Sequence, residues 1–191
     1  MSTRAIGLVS VAGLLVVAVA RECYAESVEG SRQVPQTAES DAPKKRRTVD
    51  KLKLAYFPNY SAKLLMPVQF QKKDFNGQVT AIGADLPHGI YMFLSMSGPD
   101  NEDMTVAQIK PLIKAVVEGM KAEVSTETPI KLKDYHGLEM LGKVKVEADV
   151  EAVARGYVAG KKLYIVSAMG TKVWMQSSAV SRFFDSLEIA P

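Results

Sequence analysis

The chain closes on VSRFFDSLEIAP, residues 180–191, and the reading of this stretch decides the rest. A loose terminus is polar, whereas this one carries two adjacent phenylalanines, a leucine and an isoleucine. Val180, Phe183, Phe184 and Leu187 recur at i, i+3, i+4 and i+7, which is one face of an α-helix. Ser177 or Ser178 just upstream supplies an N-cap. Each of the four apolar side chains is worth ~1.5–3 kcal/mol when fully buried. The segment is therefore expected as a short amphipathic helix whose aromatic pair packs onto a sheet.

That sheet is sought upstream. EAVARGYVAGKKLYIVSAMG (residues 151–170) reads as a hairpin, with 153–158 pairing with 163–168 across Ala159-Gly160-Lys161. Gly156 and Gly160 read as turn or bulge residues. Trp174, between Val173 and Met175, covers a core edge or anchors a partner. IKLKDYHGLEMLGKVKVEA (130–148) alternates best at Val144, Val146 and Ala148, so strands are expected after Pro129 with one wet face. Nearer the start, QVTAIGADLP (78–87) and HGIYMFLSMSG (88–98) form a second antiparallel hairpin around the turn at 85–89. KLAYFPNYSAKLLMPVQFQ (53–71) carries short apolar stretches broken by Pro58 and Pro67, which suits edge or entry strands.

Between these strand blocks lies one long helix. Thr105 and Gln108 fit a capping box, and the acids of SGPDNEDM (97–104) suit the positive end of a helix. Val106, Ile109, Ile113, Val116 and Met120 recur at helical spacing, with Lys110, Lys114, Glu118 and Lys121 on the other face. Pro111 allows two readings: a helix that kinks there, or a short turn ending at Lys110 with the main helix starting at Pro111. The order strands, helix, strands, helix with tight antiparallel links gives the α+β class, an antiparallel β-sheet flanked by helices.

The composition bounds the function. The chain has 191 residues, 47% apolar, with a net charge of +3, which suits one globular domain and gives no case for nucleic acid. Arg4, an uncharged apolar run at 5–20 and small residues at Cys23 and Ala25 have the anatomy of a signal peptide (1–25) cleaved after Ala25. The run is shorter than the ~20 residues of a spanning helix; a retained N-terminal membrane anchor is the alternative. Lipidation at Cys23 is disfavoured by Arg21 and Glu22. Cys23 is the only cysteine, so the cleaved protein has no disulfide, thiol nucleophile or thiolate metal site. Residues 26–50 hold few apolar side chains and read as a disordered linker before a single domain at 51–191. The KKRR cluster at 44–47 reads as a solvated linker, with weak attraction to an anionic membrane surface as the alternative.

Four stretches resemble the PsbP-like family. YSAKLLMPVQFQ (60–71) is similar to its opening strand and the turn that follows. HGIYMFLSM (88–96) is similar to its aromatic strand before the first long helix. RGYVAGKKLYIVSAMG (155–170), with Tyr157 and Tyr164, is similar to its late hairpin, and AVSRFFDSLEI (179–189) to its closing helix. The likeness spans roughly residues 52–189 and points to an uncharacterised bacterial exported branch. It implies an α/β/α sandwich on an antiparallel sheet, and binding or assembly rather than catalysis. The motifs are structural, and no binding residue carries over position by position.

The search for chemistry finds little. There are two histidines, His88 and His136. Asp134, His136 and Glu139 are the best metal-ligating constellation, since Asp134 and His136 would share a face of a strand. The plainer reading of KDYHG (133–137) is a polar turn, and His88 sits in a turn context. No Gly-x-Ser-x-Gly elbow and no phosphate-binding glycine loop is present. Ser177 and Ser178 read as caps, Glu102 and Asp103 as a charged helix start, and Met92, Met96, Met120, Met140 and Met169 as core filling. The expectation is an exported (periplasmic or secreted), non-enzymatic protein without a cofactor. It would bind a protein or envelope partner through a sheet edge or a loop such as 98–104. The alternatives are a metal or small-ligand binder using Asp134 and His136, and a hydrolytic enzyme.

Overall fold

The computed structural model describes residues 51–75, 78–83, 86, 88–98, 103–145 and 149–190. The expected signal peptide (1–25), the expected linker (26–50) with its KKRR cluster, Glu102, Val146 and Ala148 lie outside them.

Strand β1 (Leu52–Phe57) and β2 (Ala62–Pro67) form a hairpin around a 3-10 turn at Pro58–Tyr60. Next come β3 (Gln71–Phe75), β4 (Gln78–Gly83) and β5 (Gly89–Ser97), then helix α1 (Val106–Gly119). Four long strands follow: β6 (Ala122–Leu132), β7 (Tyr135–Val144), β8 (Val150–Ala159) and β9 (Lys162–Thr171). The chain then makes two short helices, α2 (Lys172–Met175) and α3 (Ser178–Asp185), and a last strand, β10 (Glu188–Ile189). Seven strands make the main sheet in the order β3-β4-β5-β9-β8-β7-β6, and a small sheet has the order β1-β2-β10. Every strand pair is antiparallel.

The central strands explain the layering. In β5 and β9, Met92, Leu94, Met96, Leu163, Ile165 and Met169 belong to the core under α1. The alternate residues Tyr91, Phe93, Tyr164, Val166 and Ala168 belong to a second core on the opposite face. A strand that is apolar on both faces must be covered on both. Helix α1 covers the first face with Ile109, Leu112, Ile113, Val116 and Val117. The second face is covered by α2, α3 and the small sheet together, so this outer layer of the sandwich is part helix and part strand.

Helix α1 starts where its cap predicts. The Gln108 N–H donates to Thr105 Oγ1 at 3.4 Å, and the Thr105 N–H to Gln108 Oε1 at 2.8 Å. The helix runs through Pro111 rather than starting at it. Ala107 and Pro111 are both exposed, so the carbonyl that Pro111 cannot serve faces water. Gly156 is a correction. It lies inside β8, not at a turn or bulge, and an added Cβ would stand 2.7 Å from Ile113 Cγ1. The missing Cβ makes room there for Ile113 of α1. Gly160, at φ 58°, is the turn residue. Strand β6 is a second correction: it begins at Ala122, before Pro129 rather than after it. Its position at the sheet edge tolerates the proline.

The terminal segment behaves as its spacing demands. The Val180 N–H donates to Ser177 Oγ, and Val180, Phe183, Phe184 and Leu187 are buried. The Phe183 ring stands 4.6 Å from Tyr91 and 5.2 Å from Phe184. Trp174 is buried with its ring 4.9 Å from Tyr91, so it covers the core edge. Phe183→Ala is expected to cost ~3–5 kcal/mol, read as a lower urea midpoint. Val173→Ala, at a position that is 83% exposed, is expected to stay within ~0.5 kcal/mol of the parent.

Candidate interaction surfaces

The two sheets end in four edge strands, β3 and β6 in the main sheet and β1 and β10 in the small one. An unpaired edge invites another chain, and proteins guard it with charge, proline, a bulge or shortness. Strand β6 has all but the last, with exposed Glu123, Glu127, Pro129 and Lys131 and a register shift between Val124 and Thr126. Strand β3 shows Lys72, Lys73 and Asp74 to solvent. Strand β10 is two residues long. Strand β1 differs, because Leu54 is 61% and Tyr56 67% exposed. Its one charge, Lys53, lies over the Phe70 ring at 5.7 Å.

Two hydrogen bonds fix the direction of the β1 backbone. The Val68 N–H donates to the Lys51 carbonyl at 3.1 Å, and the Leu65 N–H donates away from β1, to Ser186 Oγ at 2.8 Å. Bonding alternates along an antiparallel ladder. Lys51, Lys53, Ala55 and Phe57 therefore face β2, and the peptide groups of Leu52, Leu54 and Tyr56 face outward. No described strand lies on that side. On the face of the small sheet turned from the core, Leu54 stands opposite half-buried Leu65, and Tyr56 opposite Lys63. Lys63 closes one end of this strip through an ion pair with Glu188 at 2.7 Å.

A second polar feature joins three distant elements. Arg155 on β8 donates through Nε to Glu139 on β7 at 2.6 Å, reaches Asp185 on α3 at 3.6 Å, and lies 4.7 Å from the Phe184 ring. With 29% and 19% of their side chains exposed, Arg155 and Glu139 are half-buried, and each needs the other. The Tyr164 hydroxyl nearby donates to the Tyr60 carbonyl at 2.5 Å, tying the main sheet to the small one. Burial, with a smaller contribution from Tyr135, pushes its pKa up to about 12. These groups clasp layers together and are occupied in doing so.

The proposed ligand pair does not converge on a buried site. Asp134 lies in the turn after β6, preceded by Lys133 at φ 53°, and His136 stands on β7 opposite Lys131. Both are exposed. Glu139 is held by Arg155 instead. Among the described residues, no three His, Cys, Asp or Glu side chains are grouped to hold a metal. Ser177 is a cap, and Asp103 is exposed ahead of α1. The loop at 98–104 is described only in part; there the Gly98 N–H donates to the Lys161 carbonyl, and the Met104 N–H to the Gly160 carbonyl. The Ser95 and Ser167 hydroxyls are buried without a hydrogen-bond partner among the described residues. They lie on opposite faces of the main sheet and form no common site. Among the described residues no helix is long and apolar enough to cross a membrane.

No family model matches the chain, and no curated protein matches it. Solved structures do. Cyanobacterial PsbP (CyanoP) from Synechocystis superimposes with a TM-score of 0.55 over 82% of this chain and 100% of that one, at 11% identity. A Bacteroides thetaiotaomicron crystal structure shares 14% identity over 73% of this chain and 48% of its own, with a TM-score of 0.45. A Pseudomonas aeruginosa protein of unknown function shares 13% over 73% and 98%, with a TM-score of 0.44. The chain has the PsbP-like α+β fold that the sequence resemblance implied.

The Tyr164 clasp is open to titration. Its folded pKa is raised, so its contribution is fully present below the ~10 of an unfolded tyrosine. It is lost as pH rises from there through about 12. Absorbance titration of the folded protein is expected to show a late phenolate phase near that value, missing in Tyr164→Phe.

Proposed function

We propose that this chain is an exported, non-catalytic binding protein that docks an extended polypeptide segment along the free edge of β1. One observation carries the reading. Leu54 and Tyr56 stand in solvent beside three outward-facing peptide groups, while the other long edges carry charge or proline. Such a strand offers main-chain hydrogen bonds for affinity and alternate side chains for selectivity. The leader-like residues 1–25 and the polar stretch at 26–50 support export followed by a tethered domain. Such a tether would leave β1, the first described strand, accessible at its end. Weak attraction of the KKRR cluster to an anionic membrane surface would hold the domain near an envelope partner.

The test is retention of polypeptides from the envelope fraction of the source cell by the immobilised chain and by its Leu54→Lys/Tyr56→Lys variant, identified by mass spectrometry. Both positions are exposed, so the variant is expected to keep its circular dichroism and melting profile. The wild type should retain polypeptides that the variant loses, and bound wild type should show slowed hydrogen exchange at Leu52, Leu54 and Tyr56. Equal retention by both proteins would remove β1 from the account.

A further inference from the structure

Resting on the docking role of β1, the geometry points to a second copy of this chain as the occupant of that edge while no envelope polypeptide is bound there. The two β1 strands would pair antiparallel about a two-fold axis at Leu54, and join the two small sheets into one.

The register follows from which peptide groups are available. In an antiparallel ladder, opposite residues exchange both hydrogen bonds or neither. Outward-facing Leu52, Leu54 and Tyr56 must therefore meet outward-facing residues of the second copy. An axis at Lys53 would set that lysine directly against its own copy in the closer, non-hydrogen-bonded pair, where like charges repel. An axis at Ala55 would set Leu52 against Pro58, which has no N–H and opens the 3-10 turn. An axis at Leu54 has neither fault. Leu54 meets Leu54, Leu52 meets Tyr56, and each outward N–H and C=O finds a partner. On the other face of the strand, Lys53 meets Ala55 and Lys51 meets Phe57, so no two lysines are opposed.

Side chains support the same pairing. On the outer face, the exposed Leu54 side chains of the two copies would touch across the axis, flanked on each side by Tyr56 and backed by Leu65 of β2. The interface is isologous, so it closes at two copies and leaves no further edge of this kind. Neither β3 nor β6 offers such a match. Strand β3 places Lys72, Lys73 and Asp74 at its edge, and β6 is interrupted by Pro129 and its register shift.

Because residue 54 lies on the axis, it meets only itself, and this gives a specific test. Sedimentation velocity over a concentration series is run on the full chain, on Leu54→Lys, on Leu54→Glu and on an equimolar mixture of the two variants. The wild type is expected to form dimers with rising concentration. Each variant alone should dimerise roughly tenfold or more weakly, because like charges oppose across the axis. The mixture should recover a heterodimer. A wild type that stays monomeric, variants that dimerise like the wild type, or a mixture that recovers nothing would each overturn the inference. A monomer whose β1 amides are still protected from exchange would assign the edge to residues 1–50 of the same chain, and would overturn it too. The docking reading fails separately. If a monomeric wild type still captures envelope polypeptides through β1, docking stands and the dimer falls. If Leu54→Lys/Tyr56→Lys captures the same polypeptides, docking itself falls.

Discussion

The constraint on which this structure depends is that β5 and β9, the paired strands at the middle of the main sheet, are apolar on both faces. Tyr91 and Phe93 point one way and Met92, Leu94 and Met96 the other, with Tyr164 and Val166 against Leu163 and Ile165 in the neighbouring strand. Leaving either face in water would forfeit several side chains at ~1.5–3 kcal/mol each. One face takes an ordinary amphipathic helix. The other takes an assembly from both ends of the folded chain, with the β1–β2 hairpin contributing Phe57, Leu64 and Met66 and the terminal segment contributing Trp174, Val180, Phe183 and Ile189. Strand β10 pairs with β2, and Ser186 caps the Leu65 N–H, so the two contributions are stitched to each other as well as to the sheet.

That solution has a consequence for the surface. Using a small sheet as a covering layer creates edge strands away from the main sheet. The side of β2 that faces the terminal segment is closed by β10 and Ser186, while the other side of the sheet ends at β1. The inward residues of β1 are committed, with Ala55 and Phe57 buried. Its outward peptide groups and its solvent-side Leu54 and Tyr56 are not needed by the described core. The proposed docking surface is thus a by-product of how the second face is buried.

Much of the architecture was legible in the residues. Helix α1, the β4–β5 and β8–β9 hairpins and α3 each span several periods, so their spacing is informative. The shorter pieces were not. Strand β10 has two residues and α2 has four, too few to show a period, and Trp174 gave no sign of the Thr171 cap that starts its helix. Gly156 was misread because strand glycines often mark bulges, whereas here the missing Cβ makes room for Ile113, a contact between residues far apart in sequence. The edge character of β1 was legible only in part, since Pro58 and Pro67 suit edge strands but alternation in LKLAYF does not show which neighbour the strand lacks. The Asp134–His136 pair looked close along the chain, yet Glu139, its third member, is drawn instead to Arg155 and α3.

The most direct measurement is native-state hydrogen exchange on the chain and on a truncation ending at Gln176, which removes α3 and β10 together. If both faces of β5 and β9 must be covered, the amides of Tyr91, Phe93, Tyr164 and Val166 should be among the most protected in the full chain. In the truncation they should lose that protection, while the protein binds a hydrophobic dye and no longer unfolds in one transition. A truncated chain that unfolds cooperatively with these amides still protected would contradict the account.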